Sequence, residues 1–448
     1  MKTFHLVSLG CPKNLVDSEL VYGLLLAQGW QGCDLPDEAT VLIINTCGFI
    51  QSAVEESIEE ILGLASWKQD DPAKKLVVIG CLVQRYRRRL VEELPEVDLF
   101  VGTEGITSLP ELLGDLGRSD MAERRMVLPD RFLMTAALPR RLSTPFFRAW
   151  MKITEGCDNH CSYCLIPSIR GPLRSREIED LVIEADRLEQ GGVREITLVA
   201  QDLTAYGEDR GGRGQLVSLL KALLSGTSIP WLRLMYLYPS GITDELLHLA
   251  RAEPRIVPYF DIPLQHVSDR VLRAMNRRYT RADIDQLLER IRSIVPGAAL
   301  RTTFLVGFPG ETTADIEQLL EFLPIARFDH LGVFPYANEE GCAAEQMADQ
   351  VAEAEKQHRL DAVLTAQADI SANTQQRFVG KIERVLVEGV SRESELLLEG
   401  RTRYQAPDID GCVLINEGET SPGEFVDVEI TEAHVYDLVG RIVTSGEA

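Results

Sequence analysis

Three cysteines share one short stretch in the middle of the chain, AWMKITEGCDNHCSYCLIPSIRG (residues 149–171). Cys157, Cys161 and Cys164 have the spacing C-x3-C-x2-C, and they follow an apolar run that is typical of a strand. Zinc sites usually have a second pair of ligands elsewhere, and bacterial ferredoxins combine a different spacing with a fourth cysteine. Three thiolates on a cubane leave one iron open. The stretch therefore predicts a loop that holds an iron–sulfur cluster with one free coordination position.

Five more strand-like runs follow this stretch, and helical periodicity separates them. They are EITLVAQD, WLRLMYLYP, YFDIPLQ, LRTTFLVGFPG and HLGVFPY. Together with FRAWMKIT (residues 147–154) they make six strands. This pattern predicts a barrel-like α/β unit whose site is formed by loops at the carboxyl ends of the strands.

Cysteines also end three strand-like runs near the start of the chain: VSLGC, LIINTC and VVIGC. These cysteines are Cys11, Cys47 and Cys81. The runs alternate with helical stretches, which predicts a doubly wound parallel sheet. The predicted strands are Phe4–Leu9, Val41–Asn45, Leu76–Ile79 and Asp98–Val101. Ligands bind beyond the carboxyl ends of such strands, so we expect the three thiols to share a metal site. On spacing alone, an iron–sulfur cluster or a three-thiolate zinc fits.

Changes in the sequence pattern mark further segments and the boundaries between domains. RYRRR (residues 85–89) lies on a predicted helix and is expected to be a solvated face. Residues 119–145 lose the periodicity and contain several prolines, which predicts an interdomain connection. Four short alternating strands then predict a small antiparallel barrel at the end: IERVLVEGV, SELLLEGRTRY, GCVLINEG and EFVDVEITEA. The expected domains are 1–118 (N-terminal), 119–142 (linker), 143–373 (core) and 374–445 (barrel).

Composition limits the class of protein. The chain has 448 residues, nine cysteines and a formal net charge of −23. It lacks an apolar run of about 18 residues, and its start, MKTFHLVSLG, lacks the cleavage region of a signal peptide. We therefore expect a cytoplasmic protein without a membrane span, in which cysteines serve as metal ligands, catalytic thiols or small core residues more often than as disulfides. The acidic charge favours a basic partner over a phosphate backbone.

The cysteine motif, with Tyr163 before its last cysteine, resembles the signature of radical S-adenosylmethionine (SAM) enzymes. SLGCPKNLVDSE, NTCGFI, EGCDNHCSYC and IPSIRG further resemble the methylthiotransferases of that family, in the branch that modifies an aspartate of ribosomal protein S12, the RimO type. The terminal barrel resembles a TRAM domain, an OB-like module. The resemblance covers essentially the whole chain and implies a partial (β/α)6 barrel for the core. Leu203 and Cys342 depart from the family pattern, where a hydroxyl residue and a threonine are expected.

This resemblance implies two [4Fe–4S] clusters and SAM as co-substrate. Cys157, Cys161 and Cys164 would hold the cluster that cleaves SAM, and the radical would abstract hydrogen from the aspartate β-carbon. The other triad would hold an auxiliary cluster that carries sulfur; a first SAM would methylate this sulfur before transfer. No further catalytic side chain is identified. The expected SAM contacts are Tyr163, Gln201, Gln265, Gly307 and Gly310.

The resemblance also implies partners: S12 as a basic protein substrate, a reductant such as a flavodoxin or ferredoxin, and a sulfur donor. We expect a monomer. Residues 378–448 contain six Lys and Arg against fifteen Asp and Glu, so direct nucleic-acid binding through the TRAM-like barrel is not expected. The alternative is a tRNA methylthiotransferase that acts on a modified adenosine. A rival from another class, an iron–sulfur electron carrier, would make no 5′-deoxyadenosine.

Overall fold

A computed structural model describes residues 2–69, 71, 73–116, 126–128, 131–212 and 214–443. The chain forms two six-stranded sheets, a closed five-stranded barrel and a small two-stranded sheet. No helix in the described part of the chain is both long and apolar enough to cross a lipid bilayer.

The N-terminal unit is a parallel sheet with helices on both faces, as the sequence predicts. Its strand order is β2-β1-β3-β4-β5-β6. Ile43 packs among residues of α1 and α5, whereas Leu42 and Ile44 pack among residues of α2, α3 and α4. The strands are β1 Thr3–Ser8, β2 Gln31–Gly32, β3 Val41–Thr46, β4 Lys75–Gly80, β5 Leu99–Val101 and β6 Met126–Val127. The helices are α1 Pro12–Ala27, α2 Gln51–Gln69, α3 Cys81–Tyr86, α4 Arg88–Glu93 and α5 Leu109–Asp115.

Three details of this unit differ from the prediction. Strands β2 and β6 were not predicted, because two residues are too short to show a periodicity. β6 lies within the predicted linker and extends the sheet beside β5. The single helix predicted around RYRRR is two helices, since the backbone breaks at Arg87 with φ 51°.

The central unit is a parallel sheet of six strands in the order β14-β13-β12-β11-β10-β7, which confirms the predicted partial barrel. Its strands, with the short pair β8 and β9, are β7 Arg148–Lys152, β8 Thr154–Glu155, β9 Arg174–Ser175, β10 Glu195–Val199, β11 Trp231–Leu234, β12 Ile256–Asp261, β13 Ala299–Val306 and β14 His330–Pro335. Its helices are α6 Ile166–Arg170, α7 Ile178–Gln190, α8 Gln215–Gly226, α9 Asp244–Ala252, α10 Asp269–Ala274, α11 Arg281–Ile294, α12 Thr313–Ala326 and α13 Glu353–Gln375.

The two faces of this sheet differ in polarity. Met151, Leu234 and Leu300 belong to the apolar cluster shared with the surrounding helices. Because side chains alternate along a strand, their neighbours Lys152, Arg233 and Arg301 lie on the opposite, concave face. The concave face therefore carries charge, which an ordinary structural core would exclude.

The C-terminal unit is a closed barrel of five strands in the order β15-β16-β17-β19-β18. The strands are β15 Ile382–Val390, β16 Leu398–Thr402, β17 Val413–Glu417, β18 Phe425–Ala433 and β19 Leu438–Ile442. Four were predicted; β19 was missed because Gly440 and Arg441 interrupt its apolar pattern. The barrel is antiparallel except for one parallel pair, β17 with β19.

Buried ion pairs fix this barrel to the core. Glu195, the first residue of β10, accepts from Arg233 at 2.6 Å and from Arg401 of β16 at 2.6 Å. Arg148, which begins β7, adds a partly exposed pair with Asp408 at 2.8 Å. These residues lie at the amino ends of the core strands, so the barrel covers the edge opposite the one where ligands bind.

Acid is expected to weaken this interface. Burial alone would raise the pKa of Glu195, but Arg401 and Arg233 lower it to about 2. An unfolded glutamate titrates near pH ~4.3, so the stabilisation by Glu195 is complete above about pH 5 and is lost as the pH falls towards ~2. Glu195→Gln should therefore unfold at lower urea concentration at pH 7, with a shallower loss of stability below about pH 5. Glu419→Gln, at an exposed carboxylate, is the control; an identical pH profile for Glu195→Gln and the unmodified protein would contradict the argument.

Candidate functional site

The N-terminal thiols lie at the carboxyl edge of the first sheet, as predicted. Cys47 and Cys81 directly follow β3 and β4, and Cys11 lies three residues beyond β1. These strands are neighbours in the order β1-β3-β4. Gly10 has φ 90°, and a Cβ there would stand 2.9 Å from Cβ of Cys47. The glycine of SLGC thus lets the loop of Cys11 approach Cys47 closely.

Local charges act differently on these three thiols. Burial alone would raise the pKa of Cys11, but Lys13, Arg170 and backbone N–H groups hold it below its ordinary value. Burial raises the pKa of Cys47 despite the N–H of Phe49, and the charge of Cys11 adds to the rise. Burial raises the pKa of Cys81 to about 12, against the opposing charge of Arg170. The charge of Cys11 affects the pKa of both other thiols, so the three lie within electrostatic range of one another.

The second triad lies in the loop between β8 and α6. Burial raises the pKa of Cys157 to about 11 and that of Cys164 to about 12. The charge of Cys161 adds to the rise in both pKa values. The backbone N–H of Asn159 donates to Sγ of Cys157 at 3.4 Å. Nη1 of Arg277 donates to Sγ of Cys161 at 3.4 Å. Donors to sulfur of this kind tune the potential of an iron–sulfur cluster.

The donor atoms of each triad indicate which kind of metal group would fit. Across the described ranges, no group of three or more His, Cys, Asp or Glu side chains converges closely enough to hold a single metal ion. Each triad consists of thiols alone, with N–H groups or an arginine directed at sulfur. Thiolate-only ligation with hydrogen bonds to sulfur suits an iron–sulfur cluster.

Helix α6 connects the two triads. It begins two residues after Cys164 and ends at Arg170, whose Nε donates to Sγ of Cys81 at 3.2 Å. On the same helix Ile169 packs with Cys81 and Cys342 in a small buried cluster. Cys342 therefore lies beside Cys81 of the first triad, and its charge adds to the rise in the pKa of Cys164 in the second.

Arg170 belongs to a buried network of four charges. It donates to Asp17 of α1 at 2.8 Å and to Glu155 at 3.3 Å. Lys152 pairs with the same two carboxylates, at 2.8 Å for Glu155. All four side chains are nine-tenths or more buried, and they join the N-terminal unit to the core.

A second ionic contact joins the two units beside Cys342. Arg85, in the stretch expected to be solvated, pairs with buried Glu339 at 2.9 Å. Glu339 also accepts from the N–H of Gln51, the first residue of α2. The expectation of a solvated face was wrong for Arg85, because this arginine packs against the other domain.

The predicted SAM contacts lie in loops of the core, in two kinds of surroundings. Gln201 and Gln265 follow β10 and β12 at the carboxyl edge and are half-buried. Tyr163 packs beside Phe308 and Tyr336. Gly307 donates its N–H to Glu311 at 2.8 Å, and a Cβ there would meet Lys356 at 2.3 Å. A Cβ at Gly310 would meet Arg270 at 3.7 Å. The turn that contains Gly307 and Gly310 accounts for the conformation of both glycines. That the five residues contact SAM stays a prediction.

Two further polar side chains of the core, those of His266 and Asp202, have structural partners. His266 is buried, accepts from the N–H of Ser268 at 2.9 Å and lies 3.4 Å from Glu311. Asp202, beside Gln201, accepts from Asn159 of the cysteine loop at 2.7 Å. Asp202 therefore holds the loop of the second triad against the end of β10.

Comparisons with known proteins agree with this architecture. Residues 151–323 match the Radical SAM superfamily, residues 379–443 the TRAM domain, and residues 3–102 the uncharacterized protein family UPF0004. The radical SAM methyltransferase TsrM from Kitasatospora setae is 16% identical, with a TM-score of 0.53 over 74% of this chain and 73% of its own. The cobalamin-dependent SAM radical enzyme OxsB is 14% identical, with a TM-score of 0.53 over 82% and 56%. These two structures show the fold alone.

Fold and site together define a radical SAM enzyme. Two curated relatives are much closer in sequence. The ribosomal protein uS12 methylthiotransferase RimO of Desulfotalea psychrophila is 57% identical over 441 residues, covering 98% of this chain and 99% of the relative. That of Trichlorobacter lovleyi is 48% identical over 438 residues, covering 98% and 97%. The chain belongs to the RimO family of ribosomal protein uS12 methylthiotransferases.

Proposed function

We propose that this enzyme inserts a methylthio group at the β-carbon of an aspartate of ribosomal protein S12, with two SAM molecules and two [4Fe–4S] clusters. Cys157, Cys161 and Cys164 would hold one cluster, and the N-terminal triad would hold the other. When bound, the first supplies the electron that cleaves SAM to a 5′-deoxyadenosyl radical, and the second supplies the sulfur of the methylthio group.

One observation carries this proposal: a single short helix, α6, connects the two triads. The loop of the second triad leads directly into α6, and Arg170 at its end donates to Cys81 of the first. A substrate between the triads would meet both groups without leaving the site. Such proximity replaces a bimolecular transfer with an intramolecular one.

The chain's own residues keep this region closed and ordered. Asp17, Glu155, Lys152 and Arg170 form a compensated buried network between the domains, which ties α1 to the end of α6. Arg277 stacks over Tyr238 at 4.3 Å and donates to Cys161, which fixes its guanidinium beside the second triad. The C-terminal barrel stays at the far edge of the core, away from the reacting groups.

The charge of the barrel supports a basic protein as the substrate. Its sequence has an excess of nine acidic over basic residues in 378–448. Eight carboxylates are exposed among the described residues of this range: Glu393, Glu395, Asp408, Glu417, Glu419, Glu424, Asp427 and Glu432. Such a surface repels tRNA and attracts a basic ribosomal protein. We further propose a monomer that works in the cytoplasm, receives electrons from a flavodoxin or ferredoxin, and takes sulfur from a separate donor.

The function is tested by offering the reconstituted, anaerobic enzyme two substrates separately, S12 and unmodified tRNA, with SAM and a reductant. We expect S12 to gain the mass of one methylthio group in place of one hydrogen, located at an aspartate by peptide fragmentation, and tRNA to stay unchanged. Reactions without reductant are the control. Modification of tRNA with S12 unchanged would contradict the proposal.

A further inference from the structure

Buried cations in this protein are almost all paired with carboxylates. Eight lysine and arginine residues are buried in the described part of the chain: Lys13, Lys152, Arg170, Arg176, Arg233, Lys356, Arg359 and Arg401. Seven of them form a salt bridge with Asp or Glu. Among the described residues, Lys13 is the exception. It is 7% exposed and has no carboxylate within salt-bridge distance.

Lys13 reaches from the first domain to the carboxyl edge of the second. Its Nζ donates to the carbonyl of Ala200, directly after β10, at 3.3 Å. The same ammonium lies 4.2 Å from the centroid of the Tyr236 ring, just beyond β11. Ala200 precedes Gln201, a predicted SAM contact, and Lys13 follows Cys11 by two residues. Lys13 thus lies beside the first triad, at the carboxyl ends of two core strands.

No carboxylate among the described residues compensates this ammonium directly. Asp261 accepts from the N–H of Tyr236 at 3.0 Å but is paired with Arg301 at 2.9 Å. Lys13 also interacts with Cys11, but the charge of that thiolate would be shared with the cluster it is proposed to hold. An ammonium has three donors, and the one hydrogen bond to Ala200 uses one of them. Burial of a charge without an opposite charge is costly, so the geometry favours an anion that arrives with a reactant.

We propose that Lys13 binds the side-chain carboxylate of the substrate aspartate and thereby orients its β-carbon, an inference that rests on the proposed function. A carboxylate supplies two acceptor oxygens to the free N–H donors of Lys13. The carboxylate of SAM has the same chemistry, and the experiment distinguishes the two. Lys13 acts here as a binding residue that selects aspartate over its neutral isostere, asparagine.

The test compares fluorescently labelled S12 carrying Asp or Asn at the modified position, bound to the full-length reconstituted enzyme. The unmodified enzyme should bind the Asp form roughly 10- to 100-fold more tightly, the range of a charge-assisted hydrogen bond. In Lys13→Met the ratio of the affinities for the Asp and Asn forms should fall to about one. Lys13→Arg should retain most of the preference, because the charge is kept. Iron content should stay unchanged in both variants.

Lys74→Met is the matched control, since Lys74 also lies over an aromatic ring, 3.4 Å from the centroid of Trp67, outside the site. If Lys13→Met does not fold, Lys13→Gln replaces it in the same comparison. An undiminished preference for Asp in the folded neutral variant overturns the inference, as does loss of SAM affinity with the preference intact. Failure of the unmodified enzyme to methylthiolate S12 would instead overturn the proposed function, so the two failures are distinguishable.

Discussion

Replacing Cys11, Cys47 and Cys81 together with alanine is expected to abolish methylthio transfer while 5′-deoxyadenosine is still formed from SAM. The reason lies in the separation of the thiols between two domains: these three follow strands of the first sheet, whereas Cys157, Cys161 and Cys164 lie in a loop of the second. The radical step depends only on the second triad. We expect S12 to remain unmodified, with the loss exceeding 100-fold, about 3 kcal/mol or more in the transfer step.

The reciprocal variant, with alanine at Cys157, Cys161 and Cys164, should form no 5′-deoxyadenosine above background. Chromatography of the nucleoside products and mass spectrometry of S12 measure both steps in one reaction. Cys33→Ala, at a cysteine outside both triads, is the matched control and should behave as the unmodified enzyme. Methylthiolated S12 from the N-terminal triple variant would show that the sulfur has another source.

Arg170→Met is expected to destabilise the contact between the first two domains by about 3–5 kcal/mol, the cost of leaving buried charge uncompensated. The side chain is 2% exposed and holds Asp17, Glu155, Asn14 and Cys81 at once. Without it, two buried carboxylates share only Lys152. Anaerobic guanidinium unfolding, followed by tryptophan fluorescence, should show a lower midpoint, and the iron content should fall because Cys81 loses its donor.

Arg89→Met supplies the matched control, because Arg89 forms only exposed ion pairs with Glu93 and Glu340. It should leave the midpoint unchanged, since exposed pairs contribute little. Arg170→Lys keeps the charge but loses the fork geometry, and its midpoint should lie between those of the unmodified enzyme and Arg170→Met. Equal midpoints for Arg170→Met and Arg89→Met would mean that the network does not hold the domains together.

The sequence predicts the strands of the two sheets well wherever an apolar run is long. The runs that end at Cys47 and Cys81 correspond to β3 and β4 almost residue for residue. By contrast, β2 and β6 have two residues each and carry no periodic signal. Their formation depends on backbone pairing with β1 and β5, which composition does not reveal.

The thiol triads are predictable because each cysteine ends a recognisable element or belongs to a short spaced motif. The residues around them are not. Arg170 and Asp17 are 153 residues apart in the chain, and Lys13 meets Ala200 across 187 residues. Arg170 lies within the IPSIRG motif, so the sequence contained a signal, but its role became visible only through tertiary packing.

Iron and sulfide analysis after anaerobic reconstitution tests most directly whether each triad holds a cluster. Two [4Fe–4S] clusters predict about eight iron and eight sulfide per chain, and about four of each in either triple-alanine variant. Zinc in place of iron, or an iron content that stays the same when Cys11, Cys47 and Cys81 are removed, would contradict the account.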